Sequence, residues 1–258
     1  MTLLVDVLCH LELMQPDEQH KFLERARLAG VSEIICAGTD PSLDEDAVSC
    51  ESIRAAQGSP RVRRALGLHP SNVPSTAFSL QEKLAILEQK LGGEDIVALG
   101  ECGLDRRSGQ PDLLCQRRAF TAQLRLARKY DLPILIHCVR AFGALLEVLD
   151  QERGSGLHGV VHGFTGAPET VQELVRRDIF ISFGHRLCSP RATKAREAAK
   201  VVPAHALLLE TDGPESGPED LHGLISTLAE LRGVSAEEII LLTSENARRM
   251  LGLPPSVS

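Results

Sequence analysis

The sequence predicts a single (β/α)8 barrel over residues 1–258, and three observations predict it. Eight short β-rich runs alternate with longer helical stretches from end to end. The runs are almost continuously apolar, the pattern of parallel strands buried on both faces. The length of 258 residues suits such a barrel, which typically needs about 250.

The first strand is expected at Leu3–Val7, followed by a helix over Asp17–Ala29 in which Phe22, Ala26 and Ala29 recur at helical spacing. Strands two, three and four are expected at Glu33–Gly38, Val62–Leu68 and Ile96–Gly100. The helix over Leu113–Tyr130 lines up Leu114, Phe120, Leu124 and Ala127, with Arg and Lys on its other face. Leu132-Pro133 ends it, because proline disfavours helical backbone in the residue before it, and launches strand five at Ile134–His137. Strands six to eight are expected at Gly159–His162, Ile179–Phe183 and Ala206–Glu210. Two helices close the chain, Leu221–Leu231 and Ser235–Met250. Ser235 and Glu238 form a capping box for the second, and Gly252 and Pro254-Pro255 stop it. Ser75-Thr76 and Arg153–Gly156 read as loops. A doubly wound open sheet is the competing topology; no G-x-G-x-x-G follows strand one, which argues against its nucleotide-binding form.

Composition narrows the function classes. Hydrophobic residues at 43% and charged residues at 24% give a globular chain. The lack of Trp and the single Tyr, Tyr130, argue against a surface of stacked aromatics. The net charge of −7 disfavours holding a polyanion by overall attraction, so phosphate has to be met by local cations or metal. No apolar run approaches the roughly 18 residues of a membrane span. The opening residues lack a basic segment, which predicts no signal peptide. Seven Cys without a C-x-x-C predict reduced thiols and a cytoplasmic location. Cys9, Cys102 and Cys138, at strand ends, read as small buried hydrophobes.

Barrel enzymes carry their chemistry at the C-terminal ends of the strands. His10 follows strand one, His69 ends strand three, Glu101 ends strand four, His137 ends strand five, His162 ends strand six and Asp212 follows strand eight. One such His is ordinarily a core or loop residue; the coincidence of all six at one face is not explained by packing. Imidazole mixed with carboxylate, each from a separate strand, suits catalytic Zn, Mn, Ni or Mg and excludes a compact zinc finger.

Six segments carry a resemblance: Asp6-Val7-Leu8-Cys9-His10-Leu11-Glu12, Gly67–Pro70, Gly100–Asp105, Pro133–Ala141, His162–Gly166 and Glu210–Pro214. In content and order the chain resembles the TatD-type deoxyribonucleases of the amidohydrolase superfamily. The resemblance implies a centre of one or two divalent ions. Glu101 would bridge them, His137 and His162 would complete one ligand set, and His10 and Asp212 belong to the other. It implies phosphodiester hydrolysis with Asp212 as general base and Glu101 at the reacting centre. The substrate would be DNA, single-stranded or at its ends, or a small phosphoester. His69, Arg106 and Arg140 are the expected substrate contacts, Asp105 is expected to orient a ligand or to stabilise the turn, and His185-Arg186 read as surface.

Three departures from that pattern stand out. Leu8 occupies the place of the first His of Asp-x-His-x-His, and leucine has no lone pair to give. Glu215–Asp220 is short and acidic where the family has a longer loop with Arg and Asn. Arg106 replaces an aromatic after Gly-Leu-Asp. They keep two alternatives open: a catalytically impaired relative retained for binding, and a one-metal small-molecule amidohydrolase or esterase.

Overall fold

The computed structural model describes residues 4–43, 58–93, 96–154 and 156–255. Leu3, Cys50 and Ser155, on which expectations above rested, lie outside them. The strands are β1 (Leu4–Cys9), β2 (Val31–Ala37), β3 (Arg61–Leu66), β4 (Ile96–Asp105), β5 (Ile134–Val139), β6 (Gly159–Val161), β7 (Ile179–Phe183) and β8 (Leu207–Leu209). The described helices are α1 (Pro16–Leu28), α2 (Ala77–Lys90), α3 (Leu113–Tyr130), α4 (Phe142–Gln151), α5 (Pro168–Val175), α6 (Thr193–Val201), α7 (Asp220–Arg232) and α8 (Ala236–Met250).

All eight strands lie in one sheet in sequence order, and each neighbouring pair runs parallel. A parallel crossover needs a long connection, and the amphipathic helices supply it while covering the outer face. The sheet closes just beyond β8, where the Asp212 amide donates to Leu8 O at 3.0 Å and the His10 amide to Gly213 O at 2.7 Å. Inside the barrel, Val5, Val7, Leu8, Ile35, Ala65, Leu135 and Leu208 belong to one buried cluster. Outside, Ile34, Leu99, Ile134, Ile181 and Leu209 pack with Phe22, Leu124 and Leu228 of the helices. This alternation between two cores is why the strands read as continuously apolar.

The ends of elements differ from expectation in one place that matters. Strand four was expected to stop at Gly100, but β4 runs on through Glu101 to Asp105, pairing Cys102–Asp105 with Ile136–Val139 of β5. Gly103, at φ 142°, permits it: a Cβ there would lie 2.0 Å from His137 O. Only glycine tolerates that approach, and it brings Asp105 alongside His137. Thr76, read as a loop residue, is the N-cap of α2, its hydroxyl accepting from the Ser79 amide at 3.2 Å.

Candidate metal centre

Glu101 organises the mouth of the barrel. It is 2% exposed. Its Oε1 lies 2.7 Å from His137 Nδ1, 2.8 Å from His162 Nε2 and 3.4 Å from His69 Nε2. Its Oε2 lies 3.1 Å from His10 Nε2, and that nitrogen is 3.7 Å from Asp212 Oδ1. The six residues singled out from the sequence are thus gathered at one end of the barrel, four imidazoles and Asp212 around one buried carboxylate.

The far side of each ring fixes which nitrogen faces inward. His137 Nε2 points at Asp105 Oδ2 at 3.1 Å, leaving Nδ1 for the centre. His162 turns Nδ1 toward Glu210 Oε1 at 3.5 Å, leaving Nε2. His10 Nδ1 faces two acceptors, Ala37 O at 2.8 Å and Glu12 Oε1 at 3.0 Å, so Nδ1 carries the proton and Nε2 faces inward. Carboxylates and carbonyls behind the rings are the usual means of aiming metal-binding imidazoles. His69 is different. Its Nδ1 accepts the Ser71 amide at 3.2 Å, so the ring proton belongs on Nε2. His69 therefore presents a donor to the cavity, although its Nε2 is close enough to Glu101 and His137 to complete a triad of ligand type.

The donor set fits a divalent ion. His137 Nδ1 and His162 Nε2 stand 3.2 Å apart, both against Glu101 Oε1. Two inward lone pairs at that distance repel unless a cation or a proton lies between. Without metal, protons take that part: burial pulls the His10 and His162 pKa down, but Glu101 outweighs it and both sit well above the ordinary imidazole range. Burial pushes Glu101 up, yet the His162 charge and the hydrogen bonds from His10, His137 and His162 hold it well below the carboxylate range. Asp212 is raised to about 6, chiefly by burial and then by Glu210 and Glu101. His162 Nδ1 and Glu210 Oε2 are buried with no hydrogen-bond partner, so this side of the site is incompletely satisfied as it stands.

Two residues that sequence reasoning left out complete the frame. Glu210 is fully buried; besides facing His162 it accepts the Gly163 amide at 2.5 Å. Asp6 accepts from the Thr211 amide at 2.9 Å and the Thr211 hydroxyl at 2.6 Å, fastening β1 to the segment that carries Asp212. Both lie inside the quoted motifs, and their signal was an acid within an otherwise apolar strand run. Asp105 does stand behind His137; Arg107 wraps it, with its amide and Nε each 2.8 Å from an Asp105 oxygen.

A cavity of about 810 Å³ opens over the centre, lined by His69, Arg107, Arg140, His185, Arg186 and Glu215 among others. Arg106, expected to meet substrate, is exposed and not among the lining residues; its neighbour Arg107 takes that place because it is drawn back onto Asp105. His185 and Arg186 are exposed, as expected, yet they do line the mouth. Arg140 and Asp212 hold left-handed backbone, φ 54° and 57°, as Asp131 and Asp178 do away from the site. Leu8 is fully buried in the barrel interior beneath His10. Cys9, Cys102 and Cys138 are buried free thiols as expected; burial pushes Cys138 up to about 12.

The chain is similar to known proteins over nearly its whole length. A family model described as TatD related DNase matches residues 5–252. A Bacillus subtilis protein named an uncharacterized metal-dependent hydrolase, YabD, is 30% identical over 260 residues, covering 96% of this chain and 98% of that one. A Cronobacter sakazakii protein named 3′-5′ ssDNA/RNA exonuclease TatD is 34% identical over 205 residues, 79% of this chain and 75% of its own. The solved structure of YjjV, a TatD homolog from Escherichia coli, superposes with a TM-score of 0.85 at 30% identity, covering 97% of this chain and 98% of that one.

Proposed function

This chain belongs to the TatD-related DNase family of metal-dependent hydrolases, and we propose that it hydrolyses phosphodiester bonds, in single-stranded DNA or its ends or in a small phosphoester. We propose further that residues 1–258 act as one catalytic domain and that it works in the cytoplasm. Six free cysteines among the described residues and the absence among them of a helix long and apolar enough to cross a membrane agree with that location.

The observation that carries the reading is the convergence of His10, His137 and His162 on Glu101, with the inward nitrogens of His10 and His137 fixed by groups behind them. In this reading His10, Glu101, His137, His162 and Asp212 hold one or two divalent ions. A bound ion supplies Lewis acidity, lowering the pKa of water and offsetting charge on phosphoryl oxygens. Asp212, whose Oδ1 lies 3.7 Å from His10 Nε2 at the mouth, takes the proton from the attacking water as general base. Glu101 keeps its charge among the imidazoles and holds them in register. His69, with its proton on Nε2, donates to a phosphoryl oxygen as negative charge builds there, and Arg140 meets the same phosphate from the rim.

The test pairs metal content with activity. Chain stripped of metal and reloaded with Mg²⁺, Mn²⁺, Zn²⁺ or Ni²⁺ is assayed on a single-stranded oligonucleotide and on bis(4-nitrophenyl) phosphate. Expected is hydrolysis that depends on the ion and is lost by a factor of at least 10² in Asp212→Asn, the low end of what a general base contributes. A reloaded chain that cleaves neither substrate returns the choice to a binding protein.

A further inference from the structure

The charges around the mouth limit what substrate the centre accepts. Three guanidinium groups line the cavity, and two are already engaged. Arg107 is wrapped on Asp105, and Arg186 crosses the mouth to Glu215, 2.7 Å away. Arg140 alone of the three has no ionic partner among the described residues, so the cavity offers one free fixed cation.

The surface then continues past Leu13, Pro214, Glu215 and Ser216, shared with a second cavity of about 950 Å³ between α1 and the β8–α7 segment. A longer strand leaving the centre on this side would lie in it. Its lining sets Glu18, Glu24, Glu215 and Asp220 against His20, Lys21 and Arg25, but most of these charges are already paired: Glu215 with Arg186, Glu24 with Arg27 at 2.7 Å and Arg25 with Glu219 at 2.8 Å, which leaves no run of free cations. The aromatic rings at the cavity, Phe164 and Phe183, are 2% and 1% exposed and offer no face to a base. The two means by which proteins hold single strands, a cationic track and a stacking platform, are thus both missing along this path.

We propose that the centre selects short phosphodiesters, dinucleotides and other small diesters carrying one or two phosphates, over polymeric nucleic acid. This rests on the phosphodiesterase reading above. One phosphate is met by the centre and Arg140; each further phosphate on this path finds Glu18 and Asp220 and, of ammonium or guanidinium groups without a carboxylate partner among the described residues, Lys21 alone, and the net charge of −7 adds to the penalty.

The experiment uses the metal-loaded full chain and a thymidine series of 2, 3, 6, 12 and 24 nucleotides at equal terminus concentration. Expected is a kcat/KM for the dinucleotide at least equal to that for the 24-mer. The logarithmic dependence of the longer substrates on salt should be shallow, roughly −0.7 for a single neutralised phosphate. Exchanging the acids of the second cavity that no Arg or Lys pairs, Glu18→Gln with Asp220→Asn, should raise the ratio of 24-mer to dinucleotide turnover. A kcat/KM that climbs with length, or a salt slope steep enough for four or more phosphates (about −3), overturns the proposal while leaving the phosphodiesterase reading intact. Metal-loaded chain that cleaves no length, the dinucleotide included, overturns that reading and this inference with it.

Discussion

At the scale of single residues, the centre depends on what stands behind each ligand. Asp105 is buried, accepts from Arg107 on one side and faces His137 Nε2 on the other. Asp105→Asn keeps the volume but removes the charge that holds the His137 tautomer, and should cost about tenfold or more in metal affinity. Competition against a fluorescent chelator measures it; unchanged affinity would remove Asp105 from this role. Protonation supplies a second prediction. His10 and His162 have raised pKa values in the metal-free protein, so their contribution to stability is complete below the ordinary value of 6.5 and is lost as pH rises through the raised one. Glu101, lowered, contributes above its ordinary 4.5 and is lost as pH falls. Metal-free chain should therefore melt at progressively lower temperature as pH is raised from 6.5. The stabilisation by added Mn²⁺ should grow over the same range, because the ion displaces those protons. Thermal melts in chelator and in Mn²⁺, from pH 6 to 9, provide the comparison, and a flat metal-free profile would contradict it. Little of this was legible beforehand: side-chain identity showed which residues could be ligands, while tautomers depend on Ala37 O, Ser71 N and Glu210, contacts made across 27, 2 and 48 positions.

Among the elements, β4 and the seam between β1 and β8 decide the geometry. Local pattern ends strand four at Gly100 and Glu101, and the extended backbone continues to Asp105 because β5 lies alongside to pair with it. Strand boundaries set by a neighbouring strand cannot be read from local pattern. The same holds for Asp6, whose carboxylate does at the seam what a ladder of backbone bonds does between the other strands. Burial raises Asp6 to about 7, against the hydrogen bonds from Thr211 that lower it, so the seam is held by a group that is costly to ionise and well satisfied once ionised. Asp6→Ala leaves the Thr211 amide and hydroxyl unpaired in the interior and should cost about 1–3 kcal/mol of stability. Urea denaturation measures the loss, and hydrogen exchange should show Thr211 and Asp212 opening first. Equal protection in the two proteins would mean the seam is held by the backbone bonds at Leu8 and Gly213 alone.

For the whole molecule, fold and site were legible to different depths. The barrel was legible because a strand buried on both faces has to be apolar throughout, and eight such runs leave few other topologies. The gathering of candidate ligand residues was legible because that topology sends every strand end to one mouth. What stayed hidden is how the barrel interior and the metal centre share β1. Leu8 belongs to the interior core with Val5, Val7 and Leu208, yet it is two residues from His10, which faces Glu101. An apolar side chain there extends the core by one position and offers no lone pair, so in the proposed reading an ion near His10 would have His10, Glu101 and Asp212 to hold it. The expected stoichiometry is one tight ion, at Glu101, His137 and His162, and a weaker second. Leu8→His tests the trade directly. Without metal, the new imidazole is buried beside aliphatic neighbours and should cost about 1–3 kcal/mol. With metal, it gains a ligand's role, so the variant should take up a second ion with at least tenfold higher affinity, and its melting temperature should recover with added Mn²⁺ more than that of the parent. Calorimetric titration of both stripped proteins, followed by melts with and without Mn²⁺, reads these effects independently of catalysis. A parent chain that already binds two ions of equal affinity, or a variant that is destabilised and never recovered by metal, would show that Leu8 fills space the second ion does not need.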